Sequence, residues 1–147
     1  MIQSARKRFT AYVIFQGAEH RRFWRIFTGR GWRHCLVVIP VYDGAPGLMT
    51  PVYSLIINPL TCFTDTHVEF SSPRDVVQEY LNAGYTAAIS WPVDHDYKQE
   101  YVPRGFLNCV TLVKALIGVS AWYVWTPKHL SRYLVRNGGE IIEKVKK

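Results

Sequence analysis

The chain contains few cysteines, no long run of apolar residues and almost no acidic residues in its first quarter. Three cysteines at irregular spacing in 147 residues do not form the disulfide framework of a small secreted domain, so a reducing compartment such as the cytoplasm is expected. The longest uncharged stretch, residues 44–64, contains three prolines, which excludes a membrane-spanning helix there. The first residues also lack the pattern of a secretory signal peptide.

Length and composition favour one folded domain over residues 1–147. Apolar residues make up 48% of the chain and aromatic residues 14%, which excludes a disordered chain and a coiled coil. No pair of cysteines has the spacing of a zinc site, and the sequence has neither a phosphate-binding glycine loop nor a dinucleotide-binding fingerprint. We therefore predict no metal and no cofactor.

The net charge of +7 is concentrated in residues 1–33. This region has eight Lys and Arg residues and one Glu, whereas the remaining residues have ten side chains of each sign. Aromatic side chains are interspersed with the basic ones, as in grooves that bind a nucleic-acid backbone and stack its bases. Arg21, Arg22 and Arg25 are the candidate nucleic-acid contacts. The alternative interpretation is a solvated basic face over an ordinary aromatic core.

Short apolar segments, turn residues and helix caps predict an α+β fold. Turn residues at 43–47 predict that the second and third strands form a hairpin, and Ser72 followed by Pro73 predicts the start of a helix. Residues 138–147 form a basic tail, in which Gly138 and Gly139 end the last helix and residues 140–147 either extend it or fray. The predicted strands are residues 10–16, 34–42, 52–57, 67–70 and 85–91, and the predicted helices are residues 18–27, 73–83, 109–117 and 127–137.

The helix predicted at 109–117 begins with a cysteine. Apolar residues at 109, 112, 113, 116 and 117 follow the spacing of an amphipathic helix, with Asn108 as the N-cap and Gly118 as the C-terminal stop. A thiol in the first turn lies near the positive end of the helix dipole, which lowers its pKa, and the free N–H groups there can stabilise an oxyanion. Cys109 is therefore a candidate nucleophile. The alternative is that Cys109 is only the first residue of the buried apolar face of this helix.

The predicted hairpin supplies a candidate base for Cys109. His34 opens the second strand, and a turn centred at Pro46 pairs it directly with Asn58, because the numbers of paired residues then add to 92. A histidine held by an Asn amide is the orienting arrangement of a Cys-His-Asn triad. His34 as a purely structural residue is the alternative interpretation. Other candidates for the residue that orients His34 are Asp43, Asp65 and His67.

The order of these residues resembles the circularly permuted NlpC-like cysteine peptidase group, which has a papain-like fold and includes lecithin retinol acyltransferase relatives. The similarity lies in a histidine at a strand start, a polar residue on the next strand and a cysteine at the start of a later helix. The segments that support it are residues 32–38, 57–59 and 108–114, and residues 125–134 are similar to small phage or prophage proteins with this layout.

This resemblance implies a papain-like core over residues 34–137, in which an antiparallel sheet packs against the helix that starts at Cys109. It assigns Cys109 as the nucleophile, His34 as the base and Asn58 as the orienting residue. The sequence departs from the group in having a second cysteine, Cys35, beside the histidine, and no recognisable side-chain oxyanion donor. Asn108 is the candidate for that donor.

The expected function is that of a cysteine-dependent hydrolase or acyl-transferase, peptidase-like or amidase-like, acting on a peptide, amide or acyl substrate. The alternative is a non-catalytic phage-type interaction or virion structural protein that keeps the papain-like scaffold. Such a protein would bind nucleic acid or virion proteins through residues 1–33 and would be virion-associated. Fold alone does not decide between the two functions.

If residues 1–33 bind nucleic acid, the affinity falls steeply as salt rises, because each neutralised phosphate releases counterions. For duplex DNA we expect a log–log slope of about −0.9 per phosphate contact, flattened when Arg21, Arg22 and Arg25 are replaced by Ala. Fluorescence anisotropy of a labelled duplex over a salt series measures this slope. Absence of binding at low salt would leave only the solvated basic face.

Overall fold

The described strands form one antiparallel sheet with the first strand near its centre. The computed structural model describes residues 8–17, 32–42, 51, 53–60, 64–94 and 108–143, and in that part of the chain six strands have the order β4-β3-β2-β1-β5-β6. The α+β class and the antiparallel sheet predicted from the sequence are confirmed. The strands are β1 (Arg8–Gln16), β2 (His34–Val41), β3 (Tyr53–Pro59), β4 (Thr64–Glu69), β5 (Ala87–Asp94) and β6 (Glu140–Ile142), and the helices are α1 (Pro73–Asn82), α2 (Cys109–Ile117) and α3 (Pro127–Arg136).

Helices cover both faces of the sheet. Successive side chains of a strand point to opposite faces, so β1 and β2 contribute to two separate cores. Odd-numbered residues of these strands pack with α2 and α3, and even-numbered residues pack with α1. The first core includes Val13, Phe15, Cys35, Val37, Val113 and Leu130, and the second includes Ile14, Leu36, Val38, Val76 and Val77. The start of α2 therefore lies on the same side of the sheet as Cys35.

Both predicted ends of α2 are confirmed, and the capping contacts explain them. The Oδ1 atom of Asn108 accepts a hydrogen bond from the Thr111 N–H at 2.8 Å, and the Thr111 Oγ1 atom accepts one from the Asn108 N–H at 2.9 Å. Gly118 ends the helix with a φ of 75°, a conformation that favours glycine. These caps fix Cys109 as the first helical residue.

The buried face of α2 differs from the predicted stripe. Val113 and Ile117 are buried as expected, but Val110 is buried while Cys109 is only partly so. The helix packs against the chain that follows it as well as on the sheet, because Val119 and Val124 belong to the same core cluster as Val113. Among the described residues, no helix has the length and hydropathy needed to cross a membrane.

The end of the chain differs from the prediction, because residues 140–142 form a strand. β6 pairs with β5, with Ile141 opposite Ile89, instead of extending α3. Gly138 leaves the helix with a φ of 100°, and a Cβ on Gly139 would lie 2.9 Å from the Ile89 side chain. Two glycines thus let the chain turn tightly onto β5. β4 begins at Thr64, three residues earlier than predicted.

The Ser72 cap of α1 and the Thr126 cap of α3 are confirmed, as are the starts of both helices. The side-chain oxygen of Ser72 accepts from the Asp75 N–H, and that of Thr126 accepts from the His129 N–H. The helix predicted at residues 18–27, the turn at 43–47 and the last four residues lie outside the described residues. The nucleic-acid candidates Arg21, Arg22 and Arg25 lie outside them as well.

A buried lysine attaches the segment after α2 to the helix. Lys114 is 1% exposed, and its Nζ atom donates hydrogen bonds to the backbone oxygens of Ala121 and Val124. Both carbonyls belong to the connection between α2 and α3, so the lysine sets the path of this connection. Burial of an ammonium group is tolerated because the carbonyl oxygens replace its hydration.

Replacing Lys114 with Met keeps the length of the side chain but removes the donor to both carbonyls. We expect the free energy of unfolding to fall by about 1–3 kcal/mol, the typical cost of unsatisfied buried polar groups. Urea unfolding followed by circular dichroism measures this loss. Lys128→Met on α3 is the matched control, and an equal loss in both variants would contradict the structural role of Lys114.

Candidate active site

Cys109 lies where the first turn of α2 meets the beginning of β2. The side chains of His34 and Cys35 and the backbone N–H of Cys35 lie beside its sulfur and act on the charge of the thiol. Consecutive strand residues direct their side chains to opposite faces. The Cys109 sulfur therefore lies beside the start of β2, near two side chains that point to opposite faces of the sheet.

His34 is held on its other side by Asn58. The Nε2 atom of His34 and the Oδ1 atom of Asn58 are 2.6 Å apart. An amide oxygen only accepts hydrogen bonds, so Nε2 carries the hydrogen, and Nδ1 is the nitrogen left to face Cys109. The structure thus brings together Cys109, His34 and Asn58 in one line of contacts, in the order that the sequence suggested.

The strand register behind this contact differs from the predicted one. Val37 pairs with Ile57, so the paired numbers add to 94, and direct pairing of His34 with Asn58 is wrong by two residues. A shift of two keeps both residues on the same face of the sheet, because side chains alternate with a period of two. Asn58 is therefore a diagonal neighbour of His34, within reach of a long side chain.

Three neighbouring groups lower the pKa of the Cys109 thiol from 9.0 to about 4: the Cys35 thiol, the His34 imidazole and the Cys35 backbone N–H. The hydrogen bond from the Cys35 thiol has the largest effect. Burial opposes it by disfavouring the charged form, while the hydrogen bond and positive charge of His34, with the Cys35 N–H, favour the thiolate. Cys109 is therefore a thiolate at neutral pH.

The same contacts set the protonation of the two partners. Burial disfavours the imidazolium form, but hydrogen bonds to Cys109 and Asn58 and the negative sulfur outweigh it, so the pKa of His34 is raised above 6.5. Burial, together with the neighbouring Cys109 sulfur, raises the pKa of the Cys35 thiol. The site thus contains a nucleophile, a proton donor beside it and a neutral thiol that stabilises the nucleophile.

Cys35 is the residue that sequence reasoning did not place in the site. It was noted only as an extra cysteine beside the histidine, whereas the structure makes it a direct partner of Cys109. It is fully buried on the face of β2 that packs against α2. A signal was present in the sequence, because the strand residue after His34 must point to the face opposite the histidine, where a covering helix can lie.

Asn108 is engaged in the helix cap through its Oδ1 atom, so only its side-chain amino group can act as the predicted oxyanion donor. The N–H groups of Thr111 and Leu112 are already bonded to Asn108. The backbone N–H groups of Cys109 and Val110 belong to the set that a helix start leaves without an intrahelical partner. They are the better candidates for that role.

The other candidates for the residue that orients His34 lie on a different strand or outside the described residues. Asp65 and His67 are on β4, where His67 is 3.6 Å from both Asp65 and Glu69. The histidine of the site is instead bound to Asn58. Asp43 lies outside the described residues, and in the described ranges no three His, Cys, Asp or Glu residues are grouped as metal ligands.

Comparison of the chain with protein-family models, with curated proteins and with solved structures found no match. The geometry around Cys109 is therefore the basis for assigning a function. Membership of the NlpC-like group and the papain-like fold stay predictions.

Alkylation of native protein with iodoacetamide tests the state of Cys109. With a pKa of about 4, its labelling rate stays nearly constant between neutral and mildly acidic pH, because the thiolate is already fully formed. An ordinary thiol, with a pKa of about 8.5, slows roughly tenfold per pH unit over that range. Peptide mass spectrometry identifies the labelled cysteine.

His34→Ala should slow the labelling of Cys109 at mildly acidic pH, because the loss of the imidazolium raises the thiol pKa. Asn58→Ala should have a smaller effect, since it removes only the contact that orients the ring. His129→Ala, on the exposed side of α3, is the control. Unchanged labelling in His34→Ala, or Cys109 labelling no faster than Cys62, would contradict the activated nucleophile.

Proposed function

We propose that this protein is a cysteine-dependent hydrolase or acyl-transferase in which Cys109 attacks a carbonyl carbon of a peptide, amide or ester. The observation that supports this most strongly is the position of His34, which contacts the Cys109 sulfur on one side and the Asn58 amide on the other. A nucleophile, a base and a residue that orients the base are the parts of a Cys-His-Asn triad.

In the acylation step the Cys109 thiolate forms a bond to the carbonyl carbon and the oxygen becomes an oxyanion. The N–H groups at the start of α2 lie beside the nucleophile and supply hydrogen bonds to this oxyanion. His34 gives the proton on Nδ1 to the leaving amine or alkoxide as its bond to carbon breaks. The products are a Cys109 thioester and a neutral His34.

Deacylation reverses these roles. Neutral His34 accepts a proton at Nδ1 from a water molecule, or from the amine or alcohol of an acyl acceptor, as that molecule attacks the thioester carbon. The carbon–sulfur bond breaks, and the thiolate and imidazolium are restored. Asn58 keeps the ring in one orientation throughout, because its oxygen holds the hydrogen on Nε2.

The fold supports the proposal through the order of its elements. A histidine at the start of β2, an asparagine near the end of β3 and a cysteine at the start of a helix on the sheet match the arrangement expected for a permuted papain-like core. On this proposal the antiparallel sheet holds the base and its orienting residue, and α2 presents the nucleophile.

The pH profile of acylation should have two limbs, one set by the ionisation of Cys109 and the other by that of His34. Activity rises as Cys109 ionises at a pH of about 4 and falls when His34 loses its proton, at a pH above 6.5 because its pKa is raised. The rate constant of acylation by p-nitrophenyl acetate, followed over a pH series, measures both limbs. A rate that rises only near the pKa of an ordinary thiol would contradict the ion pair.

Turnover of p-nitrophenyl acetate separates the enzyme from a merely reactive thiol. We expect the wild-type protein to release one equivalent of p-nitrophenol in a burst and then turn over, since His34 activates the water that cleaves the thioester. Cys109→Ala should lose the burst, and His34→Ala should lose turnover. Asn58→Ala should retain reduced turnover.

His129→Ala is the matched histidine control and should behave as wild type. The acetyl group should be found on Cys109 by peptide mass spectrometry. A burst without turnover in the wild-type protein, both in water and with an added amine or alcohol acceptor, would overturn the proposed function, as would turnover that persists in Cys109→Ala.

A further inference from the structure

Two of the three cysteines contact each other in the folded protein. The thiol of Cys35, the second residue of β2, lies beside the sulfur of Cys109 at the start of α2 and acts on its charge. Both side chains belong to the same packed cluster between the sheet and α2. Neither cysteine is part of a disulfide in this structure.

The two cysteines differ in access to solvent. Cys35 is 0% exposed, beneath α2, whereas Cys109 is only partly buried. A small oxidant in solution therefore reaches Cys109 and does not reach Cys35. Cys35 in turn lies behind Cys109, where it can attack a modified Cys109 sulfur from inside the protein.

We propose that Cys109 and Cys35 form a peroxide-responsive modification site, in which hydrogen peroxide oxidises Cys109 and Cys35 then closes a reversible disulfide. This modification uses Cys109, the nucleophile of the proposed function, but the oxidation of Cys109 does not depend on hydrolysis. The disulfide removes the Cys109 thiolate, so an oxidised protein has no nucleophile.

Both steps balance in atoms and electrons. The Cys109 thiolate attacks one oxygen of hydrogen peroxide, the O–O bond breaks, and the products are a sulfenic acid on Cys109 and hydroxide. The Cys35 thiol then attacks the Cys109 sulfur, the S–O bond breaks, and the hydroxyl leaves with the Cys35 proton as water. The sulfur pair has lost two electrons, and peroxide has been reduced to water and hydroxide.

The local structure favours the first step, and for the second step it places the Cys35 sulfur beside Cys109. The thiolate is the form that reacts with peroxide, and Cys109 has a pKa of about 4, whereas burial keeps the Cys35 thiol protonated. A disulfide needs the two sulfur atoms to move from hydrogen-bonding contact to about 2 Å. Cys109 is the first residue of its helix, where the backbone N–H has no intrahelical bond to lose, so it can move toward Cys35.

The test uses hydrogen peroxide on the full chain carrying Cys62→Ser, so that only the pair remains. We expect the intact protein to lose two hydrogen atoms in mass, and digestion without reductant to yield one cross-linked peptide containing Cys35 and Cys109. A thiol reductant should restore the original mass and the labelling of Cys109. The same cross-linked peptide should form in the wild-type chain, which is the check on the Cys62→Ser background.

Cys35→Ser is the matched variant, because it removes the attacking thiol and keeps a side chain of similar size. In it, most of the Cys109 sulfenic acid should persist and be trapped by dimedone, and prolonged exposure should give the sulfinic acid. In the chain with Cys35 intact, the dimedone adduct should be minor. The cross-linked peptide is measured without any change at Cys35, so a folding defect in Cys35→Ser does not weaken the test.

Two results would overturn the proposal. In the first, peroxide leaves Cys109 reduced, although p-nitrophenyl acetate still acylates Cys109 in the wild-type chain. In the second, peroxide oxidises Cys109 to the sulfenic or sulfinic acid while Cys35 is present, but no cross-link between Cys35 and Cys109 forms. Neither result bears on hydrolysis, and a cross-link in a protein that lacks turnover would refute only the proposed function.

Discussion

The negative charge on the Cys109 sulfur, held between α2 and the start of β2, is the feature on which the site depends. The contacts with Cys35 and His34 lower the pKa of this thiol from 9.0 to about 4 against the opposing effect of burial, so the folded protein favours the thiolate. His34 and Cys35 supply this stabilisation from one strand, so it exists only when the strand and the helix are packed together. Folding and activation of the thiol are therefore one event.

The helices could be predicted from the sequence because their signals are local. Asn108, Ser72 and Thr126 each accept a hydrogen bond from the backbone N–H three residues later, and each is followed by its helix. β6 could not be predicted, because it depends on the close approach of Gly139 to Ile89 on a distant strand. Local sequence does not record which partner a strand will find.

The site could be predicted in part for the same reason. The contact between His34 and Asn58 follows from two strands joined as a hairpin, and the alternation of side chains preserved it although the register was wrong by two residues. The exact turn sets the register, and turn residues alone do not give its centre. For Cys35 the alternation of side chains indicates only the face on which it lies, and the position of α2 on that face is not specified by either segment.

The most direct test of the ion pair is an NMR titration of the His34 imidazole, assigned by comparison with His34→Ala. The account predicts a pKa above 6.5 in the wild-type protein and a lower pKa in Cys109→Ala, because the favourable contacts to the sulfur are lost while burial remains. A His34 pKa that is not raised, or that is the same in both proteins, would contradict the thiolate–imidazolium pair.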